Sequence, residues 1–192
     1  MKTDKKQSIY LAAAKLFGKK GFEGTSLDEV AHKAGVAKGT IFYHFQNKEE
    51  LFSALIQEGI EQLSRGIETI ANKNISIEKK LELIIEFHFG FFKEHRDMCL
   101  MILGQIGNFQ KRGQKSIELI RGRYLTAMEE IIKEAKAKGV IDKKLETESL
   151  IIALFSLLAV TGVDWAIFHP KLPEEKMAET IKSLLFDGFI KR

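Results

Sequence analysis

The segment Leu27-Asp28-Glu29-Val30-Ala31-His32-Lys33-Ala34-Gly35-Val36-Ala37-Lys38-Gly39-Thr40-Ile41-Phe42-Tyr43-His44-Phe45 reads as two short helices joined by a tight turn. Thr25 and Ser26 offer a hydroxyl N-cap, and Asp28 and Glu29 put acidic side chains in the first turn. Gly35 supplies a residue without a Cβ at the turn, Ala31 lets the helices approach, and Val30, Ala34, Val36 and Ile41 provide apolar anchors. This is the pattern of a helix-turn-helix, although any small helical hairpin can turn on a glycine. The charge balance favours the DNA-binding alternative. The net charge of +4 divides into +5 through Lys48 and −1 beyond it, so the excess positive charge sits in the first quarter.

On the N-terminal side, Ile9, Ala12, Ala13, Leu16 and Phe17 fall at helical spacing between Lys5 and Lys20, and Gly21 ends that helix. On the other side, Asn47 caps a longer helix that carries Leu51, Leu55 and Leu63. Phe17, Phe22, Phe42 and Phe45 are expected to form the small core of the basic module. Past Ala71 the apolar stripes keep helical spacing with no strand-like alternation. Leu150 to Val163 is apolar nearly all round, but it is shorter than the roughly 20 residues of a membrane span and is interrupted by Ser156, Thr161 and Gly162. It is expected to be buried within protein. Pro173 with Glu174 and Glu175 starts a last helix bearing Met177, Ile181, Leu184 and Leu185. The fold class is all-α with about nine helices. A helix-turn-helix domain over 1–48 precedes a helical domain over 49–192.

Phe22-Glu23-Gly24-Thr25-Ser26-Leu27-Asp28-Glu29-Val30-Ala31, Ala34-Gly35-Val36, Lys38-Gly39-Thr40-Ile41-Phe42-Tyr43-His44-Phe45 and Asn47-Lys48-Glu49-Glu50-Leu51 resemble the tetracycline-repressor (TetR) family of bacterial transcription regulators. The resemblance is dense from about Gln7 to Leu55; beyond it only length and the helical pattern agree. It implies a two-fold homodimer, with a three-helix DNA-binding domain on a larger domain that dimerises and encloses an inducer. Carried onto this chain, it makes Lys38 to His44 the recognition helix. Gly39 then allows close approach to bases, Lys38 and Thr40 reach base edges or phosphate, and Tyr43 and His44 contact phosphates. Thr25, Ser26 and Lys48 grip the DNA backbone. Many relatives have Tyr where this chain has Phe42, which is expected to serve as core.

The first 48 residues contain no Arg, so bidentate Arg–guanine contact is closed to this module. Base choice must rest on Lys38, Thr40, Gly39 and DNA shape. In the second domain, His88, Phe89, Phe92, Met98, Met101, Phe109, Tyr124 and Trp165 are candidates for an apolar effector pocket, and the same rings at helical spacing would serve equally as ordinary core. The dimer interface is expected on Leu154, Leu158, Ile181, Leu184 and Leu185, which the resemblance places in a four-helix bundle with the symmetry mate.

Enzymatic readings fail on chemistry. Cys99 has no recognisable base partner and lies among Leu100, Met101, Ile102 and Leu103, which suggests an inert thiol. A single Glu-x-x-His, Glu29 to His32, falls short of the two that a di-iron bundle needs, and no metal or cofactor is expected. One cysteine and no apolar run behind the basic start place the protein in the cytoplasm, with no membrane partner. The expected function is a ligand-responsive transcription regulator. It would be a repressor released from a palindromic double-stranded DNA operator by a hydrophobic or amphipathic effector. The alternatives are a sequence-independent DNA binder and a helical carrier or enzyme.

Overall fold

The computed structural model describes residues 5–103, 114–169 and 173–187. Among these residues there are nine helices and no strand: α1 (Lys5–Lys20), α2 (Leu27–Ala34), α3 (Lys38–His44), α4 (Lys48–Ala71), α5 (Ile77–Glu94), α6 (Arg96–Leu103), α7 (Gln114–Ala137), α8 (Thr147–Phe168) and α9 (Glu174–Phe186).

The starts and stops follow local chemistry. Gly21, Gly35 and Gly139 take positive φ at the ends of α1, α2 and the segment after α7. Asn47 Oδ1 accepts from the Glu50 N–H at 2.8 Å while the Glu50 carboxylate accepts from the Gln46 N–H at 2.7 Å, closing both donors at the head of α4. Glu146 caps α8 by accepting from the N–H groups of Glu148 and Ser149, and those bonds hold its carboxyl down to about 2. At Gly35 φ is +66°, and a Cβ there would meet nothing within 4 Å. Gly35→Ala is therefore expected to cost only backbone strain, about 1 kcal/mol, read as a melting temperature lowered by about 2–4 °C.

Two compact units form, and they do not follow a linear cut at Lys48. The first comprises 1–60 and 95–120, the second 61–94 and 121–192. The division falls inside α4 because that helix runs unbroken through the boundary, and α6 joins the first unit because it packs on α1. Gly18 makes the second contact possible: a Cβ there would lie 2.7 Å from the Asp97 carbonyl oxygen.

The first unit's core holds Ile9, Ala13, Phe17, Val30, Ile41 and Leu51. Phe17, Phe22 and Phe52 form a ring cluster with centroids 5.1–5.6 Å apart, and Tyr10 meets Phe45 at 5.9 Å. Phe42 is not part of this core. It is 47% exposed, because Ile41 and Phe45 already occupy the inward side of the short α3 and Phe42 lies about 100° around from Ile41. Phe52 of α4 is the third ring instead.

In the second unit α5 packs against α8 and α9. Ile84, Phe89 and Phe92 of α5, Met128, Ile131 and Ile132 of α7, and Ile151, Leu158 and Trp165 of α8 are buried. Gly66 of α4 receives the Phe87 ring, and Gly162 of α8 receives the Phe92 ring. The apolar helix differs from expectation. It extends to 22 residues, and its stretch Thr147–Trp165 is long and apolar enough to cross a membrane by composition, yet only 17% of that window is buried within the protomer. Ile151, Leu158, Gly162 and Trp165 turn inward, whereas Ile152, Phe155 and Val160 remain exposed.

Candidate nucleic-acid interface and effector cavity

The head of α2 is closed by a reciprocal capping box. Ser26 Oγ accepts from the Glu29 N–H at 3.2 Å, and the Glu29 carboxylate accepts from the Ser26 N–H at 3.0 Å. Glu29 also pairs with Lys20 at 2.5 Å, and with these partners its carboxyl lies below the usual range. Thr25, expected at phosphate, is buried, and its hydroxyl donates to the Gly21 carbonyl at 2.9 Å. That hydroxyl is committed to holding the turn after α1; Ser26 is exposed but is engaged in the cap.

Lys48 is likewise drawn into the protein. Its ammonium donates to the Phe22 carbonyl at 2.8 Å and lies 4.5 Å above the Phe22 ring, so it ties the α1–α2 turn to the head of α4. The side chains turned outward belong to α3. Tyr43 is 85% exposed, its ring 5.1 Å from that of the half-buried His44. Gly39 is exposed, and a Cβ there would meet nothing within 4 Å, which leaves the backbone open on that face. Thr40 is half-buried beside it. Lys38 is exposed and ion-paired with Asp28 at 2.7 Å. The expected recognition residues Lys38, Gly39, Thr40, Tyr43 and His44 thus share one short helix. Thr25 and Lys48 bond backbone carbonyls of the α1–α2 turn.

Among the proposed pocket residues, His88, Phe89, Phe92, Tyr124 and Trp165 are buried in the second unit. His88 is wholly enclosed. Its Nδ1–H donates to the Ile84 carbonyl at 2.7 Å, which leaves Nε2 to accept from the Tyr124 hydroxyl at 3.1 Å. Burial lowers the imidazole to about 4 and raises the Tyr124 phenol. Edge-on ring contacts with Tyr124 at 5.8 Å and Phe92 at 6.1 Å fill the space around it. Met98 belongs to the first unit, where it fills the notch at Gly59. Phe109 and the Met101 side chain lie outside the described residues. Cys99 is buried and its thiol is pushed up to about 12, as an inert sulfhydryl requires.

Of these residues, none whose side chain is described lines the apolar cavity found in the second unit. That space of about 320 Å³ is bounded by aliphatic side chains, among them Leu81 and Ile85 of α5, Met128 of α7, Leu145, and Leu154 of α8, with Asp142 among its polar neighbours. Phe186 of α9 is the one ring among its described lining residues; aromatic side chains pack out the region around His88, while shorter branched ones leave volume between helix ends. Aliphatic lining residues carry no distinctive sequence signal, which is why periodicity alone pointed to the rings. Among the described residues no group of three or more His, Cys, Asp or Glu is placed to hold a metal ion.

Of the five residues expected at a dimer interface, Leu158 and Ile181 are buried in the protomer's own core, and Leu154, Leu184 and Leu185 range from half-buried to exposed. On α8 the outward large apolar side chains are Ile152, Phe155, Val160 and Phe168, the last two 66% and 68% exposed, and on α9 Leu185 and Phe186 are exposed as well. A helix apolar nearly all round gives no periodic clue to which side faces the core.

Known proteins match throughout. The family described as bacterial regulatory proteins, tetR family, matches residues 9–55, and the YsiA-like protein C-terminal region matches residues 52–188. The fatty acid metabolism regulator protein of Bacillus subtilis (strain 168) is 25% identical over 189 residues, covering 97% of this chain and 96% of its own. The uncharacterized HTH-type transcriptional regulator YhgD of the same organism is 27% identical over 198 residues, 98% of each chain. The structure of the fatty acid degradation regulator FadR from Bacillus halodurans superposes with a TM-score of 0.87 at 24% identity over the whole of both chains. That of Bacillus subtilis FadR in complex with stearoyl-CoA gives 0.82 at 24% identity, covering 96% of this chain and 99% of the other. At such identity the two structures speak for the fold. The sequence matches reach further: the chain belongs to the tetR family of bacterial regulatory proteins and is a DNA-binding transcription regulator, not an enzyme.

Proposed function

We propose that the protein is a homodimeric repressor that leaves a palindromic operator when its second unit takes up the coenzyme A thioester of a long-chain fatty acid. The observation that carries this reading is the aliphatic cavity of about 320 Å³, which lies in the size range of small-molecule sites and suits an alkyl chain better than a polar or planar ligand. Likeness along nearly the whole chain to the Bacillus subtilis fatty acid metabolism regulator, and the stearoyl-CoA held by FadR of that organism, supply the chemical class. The cavity adjoins the His88 cluster through Ile84, which lines it and whose carbonyl His88 holds.

In this reading residues 1–48 carry the operator contacts and residues 49–192 the effector and dimer functions. The exposed side of α8 takes a second copy of the chain, which supports apolar residues outside any membrane. Two α3 helices then enter successive major grooves about 34–36 Å apart. An effector acts by binding more tightly to a dimer whose recognition helices have another separation, and only that differential affinity moves the equilibrium. Operator, acyl thioester and regulator meet in the cytoplasm.

The test is an electrophoretic shift at fixed salt on duplexes recovered from a random pool. Palmitoyl- or stearoyl-CoA at micromolar concentration is expected to release the DNA, whereas coenzyme A alone and acetyl-CoA leave it bound. A complex that persists under saturating long-chain acyl-CoA overturns the effector assignment. A pool that yields no shared half-site favours a sequence-independent DNA binder.

A further inference from the structure

Lys38 is the only basic side chain other than His44 on α3, and it must do much of the base reading that arginine does elsewhere. A free lysine is poorly suited to that task. Its ammonium is a compact point charge on a four-carbon stem, and it satisfies a phosphate as readily as a guanine edge. Discrimination requires that the ammonium be held in place before DNA arrives.

Two neighbours hold it in the structure. Asp28, the second residue of α2, accepts from the Lys38 ammonium at 2.7 Å. The same ammonium lies 5.8 Å from the centroid of the Phe42 ring, one turn along α3. Asp28 lies in the first turn of α2, where an acidic side chain favours the helix, but that role does not require its pairing with Lys38. Phe42 is largely outside the core, and Asp28 places a carboxylate on the face of a module whose net charge through Lys48 is +5. An exposed ion pair of this kind adds little to stability. Beside a polyanion, that carboxylate weakens attraction to any duplex, whatever its sequence. A residue that lowers general DNA affinity while orienting the principal base-reading group separates specific from non-specific binding, which is a difference of affinities and is gained by penalising wrong partners.

We propose that Asp28, with the Phe42 ring beside it, makes Lys38 a tethered reader of a guanine acceptor edge, and that Asp28 is thereby a specificity-determining positioning residue. One Lys38 proton is spent on Asp28, and the remaining two are left to meet O6 and N7 of one guanine. A phosphate in their place would bring its charge against the Asp28 carboxylate. This rests on α3 being the helix that enters the major groove.

The experiment uses the full-length protein and selection of duplexes from a random pool, with wild type, D28N, D28E, K38M and D28N/K38M. The wild type is expected to recover half-sites with guanine at one invariant position. D28N is expected to lose preference at that position alone and to bind an arbitrary duplex about tenfold more tightly at low salt. D28E restores the preference, because the carboxylate returns. K38M loses the same position, and adding D28N to it relaxes no further base. If D28N strengthens binding to every duplex but keeps the wild-type consensus, Asp28 is only a surface charge and the proposal falls. Loss of preference at several positions together would mean a general disturbance of α2 and would overturn it as well. A wild type that recovers no consensus defeats instead the underlying reading of a sequence-specific regulator, so the two failures are separable.

Discussion

Operator affinity is expected to fall about a thousandfold when Tyr43 and His44 are both replaced by alanine. Tyr43 is 85% exposed and makes no contribution to the core, so its truncation leaves the fold intact. His44 is half-buried against Phe45, with ring centroids 6.1 Å apart, and its loss disturbs packing only slightly. In the proposed interface each side chain makes one hydrogen bond to phosphate, and in the proposed two-fold dimer each is present twice. At about 1 kcal/mol per contact the four together amount to about 4 kcal/mol, which is roughly a thousandfold in the binding constant. The check is an electrophoretic titration at a single stated salt concentration, accompanied by circular dichroism to verify that the helices remain. An affinity unchanged within threefold would remove α3 from the interface. The salt dependence of what binding remains should also be shallower than that of the wild type, since fewer phosphates are neutralised.

Stability should fall by about 3 kcal/mol as pH drops from above 6.5 to about 4, through His88 alone. The folded-state value of this imidazole is about 4 against an ordinary 6.5, lowered because burial disfavours the charged ring. Between those values the unfolded chain binds the proton and the folded one does not, so acidification favours unfolding. The contribution is complete above 6.5, declines through the interval and is exhausted below about 4; the difference of about 2.5 pH units corresponds to about 3 kcal/mol. Carboxylates lowered by their partners, such as Glu29, Glu134 and Glu146, shift the balance in the same direction but only below their ordinary value of 4.5. The window from 6.5 to 4.5 therefore isolates His88. His88→Gln keeps a donor for the Ile84 carbonyl and an acceptor for the Tyr124 hydroxyl, and its urea unfolding curves should be flat across that window. An equally steep decline in the variant would assign the effect to another group.

The DNA-binding segment was the most legible part of the chain, because its determinants are local. Gly35 ends α2 in the left-handed conformation that a turn without a Cβ permits, and Ser26 with Glu29 closes the head of the same helix. Asn47 does the same for α4. Such signals act within four residues and survive in any sequence reading. Phe42 shows where that reading ends. A ring beside Ile41 and before Phe45 looks like core, but a helix of seven residues offers one inward side, and Phe52 from α4 had already taken the third place in the ring cluster. Thr25 and Lys48 show the same limit: a hydroxyl and an ammonium suited to phosphate are equally suited to backbone carbonyls, and only the folded turn decides between them.

The second unit was legible in class and not in detail. Rings at helical spacing marked a buried region correctly, yet they fill space around His88, and the cavity lies among aliphatic residues that the pattern did not distinguish. The sequence by itself determined the helices, their caps and turns, the basic character of the first 48 residues and the regulator family, because each follows from composition or from neighbours along the chain. Only the tertiary structure decided which side of α8 is left exposed, that α6 joins the basic module, where the cavity opens, and that Lys38 is held by Asp28 across ten residues of chain. Those outcomes depend on which side chains from distant segments reach a shared volume first, and helical periodicity is blind to that competition.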